Sequence, residues 1–374
     1  MSTKVFVTGA GIISALGSGM SATLKSLREG VCGIGAIRHL KTEHKEFPIG
    51  EVTMSNAEMS RILKAEYPSS HLRTVLLGIM AANEAMESAG LKTYDLRTTA
   101  FISGTTVGGM DNTERHFKKV YESDGETEET TEMKYNDCGY STELIADRLG
   151  KFGMITTTST ACSSGANAII FGANLIKAGV VDRAVVGGTE AMSRFHLNGF
   201  NTLMILDHER CRPFSDDRGG INLGEGSAYI VLESQKCALG RKAKIMAELK
   251  GYGNACDAFH QTASSENGEG AYLAMSKALE TAGMSSSDID YINAHGTGTP
   301  NNDATELTAM RRIWGDKLPR FSSTKNLTGH TTSASGAIEA VICLLEIQQG
   351  NAVNILSNSF GFGGNDSSLI FSKV

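Results

Sequence analysis

The residues that could do chemistry gather in four short stretches. Ile155 to Gly165 reads I-T-T-T-S-T-A-C-S-S-G, which puts Cys162 between β-branched residues and a run of small ones. Ile and Thr favour a pleated strand, and beyond them Ile169, Ala173 and Ile176 recur at helical spacing. Cys162 therefore sits where a strand gives way to a helix. Free backbone N–H groups and the positive end of a helix dipole stabilise a thiolate there, which makes Cys162 a candidate nucleophile. A cysteine on its own is more often a small apolar core residue. Two histidines shift that balance. His295 lies in N-A-H-G-T-G-T-P (293–300), and His330 ends S-T-K-N-L-T-G-H (323–330). Each lies just beyond a predicted strand, where the active-site loops of open α/β sheets gather. Each is flanked by Gly and Thr rather than by an apolar face. A lone histidine is usually structural, but a pair in similar loops fits that role less well. The fourth stretch is N-S-F-G-F-G-G-N at 358–365.

Alternating strands and helices must carry these loops. Strands are expected at Lys4 to Thr8, Thr99 to Gly104, Asp182 to Gly188, Ser227 to Leu232 and Ala243 to Tyr252, then at Tyr291 to Ala294, Phe321 to Thr324 and Ser368 to Phe371. Helices are expected at Leu72 to Ala89, Gly270 to Gly283 and Ala334 to Leu345. Gly9-Ala10-Gly11 reads as a strand-to-helix turn; it lacks the full G-x-G-x-x-G of a phosphate loop. Arg38 to Met54 reads as a surface excursion, and Asp111 to Met133 as a solvated, charge-rich helix and loop. Asp303 and Glu306 have the spacing of a capping box before the helix of Leu307, Met310, Ile313 and Trp314. The class is α/β. The chain makes a similar excursion twice, dividing at residues 1–239, with the nucleophile, and 240–374, with the histidines.

Composition narrows the function classes. The 374 residues carry a net charge of −6, with 41% hydrophobic and 20% charged residues. That is ordinary for a globular protein, and bulk charge does not point to nucleic acid. Seven scattered cysteines contain no C-x-x-C pair, which argues against a disulfide framework or zinc and fits a reducing cytoplasm. The start from Met1 to Gly11 lacks a signal peptide's charged head and long apolar core, and no run is apolar enough to span a bilayer.

Taken in order, the motifs resemble the β-ketoacyl-acyl-carrier-protein synthases, the condensing enzymes of fatty acid and polyketide assembly. The likeness runs from V-F-V-T-G-A-G-I-I-S through T-A-C-S-S-G, R-P-F-S-D-D-R, L-G-E-G-S and N-A-H-G-T-G-T-P. It continues in S-S-T-K, T-G-H, S-G-A-I-E-A and S-N-S-F-G-F-G-G-N. The resemblance implies a thiolase-type fold, two similar halves in a five-layered α-β-α-β-α core, and a dimer of like or unlike subunits. It implies that Cys162 takes an acyl group from a carrier thioester and that His295 and His330 serve decarboxylation of malonyl-carrier. By the same resemblance Lys325 orders the site through Glu339, and Cys162 and Phe362 supply backbone N–H groups to an oxyanion. Phe362 also matches the gate that admits an acyl chain. Thr297 and Thr299 match phosphopantetheine-binding positions, with turn stabilisation as the plain alternative. Val107 and Met110 match acyl-pocket or dimer-contact positions. The implied partners are an acidic acyl carrier protein and its thioesters, with Arg210, Arg212 and the Arg115–Lys119 cluster as docking charges. No metal or redox cofactor is implied; phosphopantetheine arrives on the carrier.

Three departures stand out. The link G-N-A-V-N-I-L after Gln349 is short for the family. The usual R-D-G-F reads R-G-G-I at Arg218 to Ile221. The loop Asp257 to Gly268 lacks the usual prolines, so greater mobility is expected of it. These point to a specialised polyketide or polyene enzyme. Two competing readings are a chain-length-setting subunit of a heterodimer, which usually lacks the cysteine, and a cysteine hydrolase, in which a second histidine and Lys325 have no obvious task.

Overall fold

A computed structural model describes residues 3–91 and 96–374. Met1 and Ser2, which open the stretch Met1 to Gly11, lie outside the described residues.

Among the described residues eleven strands form the main sheet, ten of them in one continuous path: β1 (Val5–Ser14), β2 (Thr99–Gly104), β3 (Met154–Thr158), β4 (Arg183–Glu190), β5 (Gly226–Ser234), β6 (Ala247–Cys256), β7 (Tyr291–Asn293), β8 (Arg320–Ser322), β9 (Asn354–Gly361) and β10 (Asn365–Ser372); the eleventh, Gly17–Ser18, pairs only with the end of β1. The order across one half is β1-β5-β4-β2-β3, and across the other β6-β10-β9-β7-β8. Both halves repeat the same pairing, parallel at the outer strands and antiparallel toward the middle. They meet where β1 pairs β6 antiparallel through Phe6–Glu248 and Val7–Ala247.

Strand alternation sends successive side chains to opposite faces. Phe101, Val185, Tyr229 and Val231 pack outward with helices α1 (Arg73–Ser88) and α2 (Cys138–Leu149). Their neighbours Ala100, Ile102, Ala184, Val186 and Ile230 turn inward, onto α3 (Ser164–Lys177). In the second half Ile292, Leu356 and Ile370 face α4 (Glu269–Ala282) and α5 (Pro300–Trp314). There Ile355, Leu369 and Phe371 face the shared middle, where α6 (Ser335–Gln349) lies beside α3. The layers are α-β-α-β-α. Helix α6 is apolar almost all round, as a helix covered on both faces must be.

Small residues let the middle helices meet. A Cβ on Gly336 would lie 2.6 Å from Ser359 Oγ and 2.8 Å from the Ala166 Cβ, and one on Gly165 would lie 2.9 Å from Ser333 O. The start of α3 is thereby pressed against the start of α6.

Several expectations need correction. Gly9-Ala10-Gly11 is no turn; it is the buried centre of β1. Its glycines are there because the strand rides on the α1 backbone: a Cβ on Gly11 would fall 2.1 Å from Ala81 O. Gly11→Ala is therefore expected to lower stability by ~1–3 kcal/mol or more, read as a drop in the denaturant midpoint at unchanged m-value; an unchanged midpoint would count against this packing. Residues 354–361, expected as link and loop, form central strand β9. Arg38 to Met54 is only partly a surface excursion, since Phe47, Ile49, Glu51 and Val52 are buried. Asp111, Asn112 and Thr113 are buried too, because the first turn of their helix packs inward. Asp303 and Glu306 do not cap α5, which starts at Pro300 behind Thr299 with no side-chain cap bond. The short link after Gln349 is a four-residue connection, 350–353, from α6 straight into β9.

Candidate active site

The chemistry-bearing loops follow the C-terminal ends of β3 in one half and of β7, β8 and β9 in the other, and they converge on one site. Cys162, His295, Thr297, Thr299, His330 and Phe362 line one cavity of about 360 Å³. Phe200, Ile205, Ile221 and Phe360 add an apolar wall, so the Ile221 of the R-G-G-I departure faces the cavity directly.

Cys162 sits on a tight turn between β3 and α3. The preceding Ala161 has φ +51°, a left-handed conformation unusual for a residue with a Cβ. The sulfur is nearly sealed, with the residue 6% exposed. Burial pushes the Cys162 thiol up to about 11; the Lys325 charge and the Phe362 N–H pull the other way, Glu190 adds to the rise, and the N–H of Cys162 pulls it back. The free thiolate expected from the helix start is thus not favoured at rest: loss of water outweighs the dipole and the donors. Below about 11 the thiolate fraction rises tenfold per pH unit. Iodoacetamide labelling of Cys162, followed by peptide mass spectrometry, is expected to speed up about tenfold per unit from about pH 7 to about pH 10. A plateau by pH ~8.5 would refute the buried-thiol reading.

The two imidazoles stand edge to face, with centroids 5.3 Å apart and planes at 83°. His295 is 3% and His330 2% exposed. Burial holds both well below the usual histidine range, and the Lys325 charge adds to this, so both are neutral at physiological pH. Lys325 Nζ reaches three acceptors: His295 O at 2.6 Å, Glu339 Oε1 at 2.5 Å and His295 Nδ1 at 3.3 Å. An ammonium has three protons and no lone pair, so His295 Nδ1 accepts and Nε2 carries the ring proton. His330 Nδ1 is held by Ser335 Oγ at 2.8 Å, which leaves its Nε2 free. Burial pushes the Glu339 carboxyl up to about 7 against the pull of Lys325. Breaking a buried pair from one side strands the other charge, so Lys325→Met is expected to cost ~3–5 kcal/mol. Chemical denaturation reads this directly, and a loss under 1 kcal/mol would contradict it.

The structure thus brings Cys162, His295, His330, Lys325, Glu339 and Phe362 together. The half-buried Phe362 ring stacks on Phe200 at 5.7 Å, and Gly363 and Gly364 beyond it have φ of +82° and +78°. Thr297 and Thr299 line the cavity, yet their hydroxyls also bond each other at 2.8 Å. Val107 is not brought in; it lies half-buried on the turn after β2, outside the cavity, and Met110, half-buried at the start of the next helix, lies outside it too. The basic cluster is neutralised locally by Arg115–Asp111, Lys118–Glu122 and Lys119–Glu129 pairs, and Arg212 by Glu209 and Asp217. The loop from Asp257, expected to be mobile, is fastened by Ser264 N to Asn301, Ser265 N to Asp257 and Gly363 N to Gln261 O.

Other residues position the site although the sequence marks none of them for that role. Glu306 accepts from the backbone N of His295 at 2.9 Å and of Gly296 at 2.8 Å, and so holds the first histidine loop from below. Asp303 accepts from Gly298 N and Phe214 N. The signal was available: Asp303, Glu306 and Met310 share one helix face, so these acids lie on the buried side. Asn365 Oδ1 accepts from Ser163, Asn167 and Asn254, tying the G-F-G-G loop to the Cys162 turn.

A five-layer core of two similar halves, with a buried cysteine at a strand-to-helix turn, defines the thiolase-type fold. The chain belongs to the β-ketoacyl synthase family: it matches the family's N-terminal domain over residues 2–238 and its C-terminal domain over 246–358. It is 32% identical over 409 positions to 3-oxoacyl-[acyl-carrier-protein] synthase 2 of Staphylococcus aureus (strain N315), covering 99% of this chain and 98% of that one. It is also 32% identical over 412 positions to nodulation protein E of Rhizobium meliloti (strain 1021), with both chains fully covered. Among solved structures it superposes on the ishigamide ketosynthase/chain length factor with TM-score 0.94 and 31% identity, all of both chains covered. For a ketosynthase (ApeO) in complex with its chain length factor (ApeC) from Xenorhabdus doucetiae, the TM-score is 0.84 and the identity 30%, covering 100% of this chain and 98% of that one. Among the described residues no helix is long and apolar enough to cross a membrane.

Proposed function

We propose that this chain catalyses decarboxylative Claisen condensation between malonyl-carrier and an acyl group held on Cys162. The observation that carries the reading is one cavity shared by a thiol, two neutral imidazoles and the N–H of Phe362. The sulfur of Cys162 attacks the acyl thioester; the C–S bond to the carrier breaks, and the carrier leaves as its thiol with the Cys162 proton. Malonyl-carrier then loses carbon dioxide. The electron pair of the broken C–C bond passes into an enolate, whose oxygen is held by the free nitrogens of His295 and His330. The enolate carbon attacks the acyl carbonyl, and the tetrahedral oxyanion is held by the N–H groups of Cys162 and Phe362. Collapse expels the Cys162 sulfur and leaves a β-ketoacyl-carrier. No free cofactor takes part, since the phosphopantetheine arm arrives on the carrier, threading past Thr297 and Thr299. Lys325 and Glu339 position His295.

The repeated strand order supports reading 1–239 and 240–374 as two thiolase-like halves that share the site. The carrier partner, a dimeric state and a cytoplasmic setting follow from the same reading. So does a specialised polyketide or polyene pathway, motivated by the R-G-G-I stretch and the short link before β9. A second reading, a ketosynthase that works only beside a chain-length-setting partner, is favoured by the similarity to two ketosynthases solved with chain length factors.

The test is to mix the protein with malonyl-carrier, with and without an acyl-carrier primer, and to follow carrier-bound products by mass spectrometry. A primer extended by two carbons and a keto group supports the reading. Decarboxylation without extension favours the partner-dependent one. Ordinary saturated long-chain products at full rate would sink the specialised pathway.

A further inference from the structure

Glu190 ends β4 and is 1% exposed, yet it does not line the cavity. Among the described residues its carboxylate meets four donors. Oε1 accepts from Thr105 Oγ1 at 2.7 Å; Oε2 accepts from Thr106 N at 2.8 Å, from Thr106 Oγ1 and from Ser333 Oγ at 2.5 Å. These partners are hydroxyls and one amide N–H, with no ammonium or guanidinium among them. A buried charge held this way is costly unless every bond is made.

The two segments it joins are far apart in sequence. Thr105 and Thr106 open the turn that carries Val107, and Thr105 Oγ1 also accepts from Gly108 N at 3.2 Å. Ser333 lies in the turn Thr332–Ala334, between His330 and the Ser335 that holds the His330 ring. That turn is strained. Thr332 has φ +47°, which a β-branched residue rarely adopts, and its buried hydroxyl has no hydrogen-bond partner among the described residues. Strain of ~1–3 kcal/mol persists only where the surroundings over-determine it. The Ser333–Glu190 bond ties this turn to the half that carries the nucleophile.

We propose that Glu190 is a positioning residue for decarboxylation: by fastening the strained turn after His330 to the Thr105–Gly108 turn, it keeps the His330 ring aimed into the cavity. The inference deepens the condensing reading and rests on it.

The test uses full-length Glu190→Ala, Glu190→Gln and Ser333→Ala. Single-turnover mass spectrometry reads acylation of Cys162, carbon dioxide release from malonyl-carrier reads decarboxylation, and hydrogen exchange reads the 328–335 backbone. Misplacing a reacting group by about 1 Å costs ~10² in rate. Glu190→Ala is therefore expected to slow decarboxylation about 30–100-fold while acylation stays within about threefold. Glu190→Gln, which keeps one oxygen, is expected to fall between wild type and Glu190→Ala. Ser333→Ala, which leaves three of the four bonds, is expected to shift the same ratio by a smaller factor. Exchange at 328–335 should rise about tenfold in each variant while 155–165 stays protected. Parallel loss of acylation and decarboxylation, or unchanged exchange at 328–335, would overturn the proposal. A wild-type protein that does not decarboxylate malonyl-carrier would overturn the functional reading instead, and exchange in Ser333→Ala would still decide the positioning role.

Discussion

Cys162→Ala is expected to reduce condensation by ~10⁴-fold or more, since no covalent intermediate can form without the sulfur. Decarboxylation of malonyl-carrier is expected to stay within about tenfold, because the histidines and their supports are untouched. The substitution removes one atom from a sealed turn, so the fold should survive it. The separation matters because the two activities share a cavity but use different atoms. The measurement is carbon dioxide release and keto-product formation in the same reaction. If both vanish together in a folded variant, the division of labour between thiol and imidazoles is wrong.

His295→Ala and His330→Ala are each expected to slow decarboxylation by ~10²–10³-fold, the usual cost of one lost oxyanion donor. Acylation of Cys162 should change far less. The double variant should fall well short of the product of the two effects, because the pair serves one oxygen. The pH dependence gives a second check. Both rings are held neutral by burial and lie well below the ordinary 6.5. Decarboxylation should therefore be flat from pH ~8 down through pH ~6.5, with no falling limb at the usual histidine value. The sign for stability runs the other way. The unfolded imidazoles take up protons near pH ~6.5 while the folded ones do not, so each buried histidine weakens the fold as the pH falls below that value. A loss of activity centred at pH ~6.5, with no loss of fold, would contradict neutral donors.

Much of the site was legible because chemistry marks its residues. The motif pattern around Cys162, His295, Lys325, His330 and Phe362 does not depend on the length of any strand. The thiolate did not survive, because how deep the sulfur lies is set by loops distant in sequence, Phe362 among them, and burial won over the helix start. Strand β9 was missed for a related reason. Ser357, Asn358 and Ser359 look like loop residues, but each is buried. Asn358 bonds Ser368 and Glu306, and Ser357 accepts from Asn293. Polar residues satisfied across a fold carry no periodic signal along the chain. Gly9 and Gly11 misled in the opposite sense: they are glycines because a helix lies on them. Asp303 and Glu306 obeyed a local capping rule that tertiary structure overrode. In each case the deciding partner lay many residues away.

The shared middle layer has a consequence for how this sequence can drift. A side chain on α3 or α6 is wedged between two sheets, so any replacement must satisfy both halves at once. One on α1 or α4 answers to a single sheet and to solvent. Although the strand order is a repetition, the two copies have lost the freedom to diverge separately at their common seam. Tolerance to substitution should grade outward from that seam, lowest where Gly165 meets Ala337 and Gly336 meets Ala166, and highest on the outer helices. A saturation scan scored for folded protein would reveal the duplication as a gradient of permissiveness.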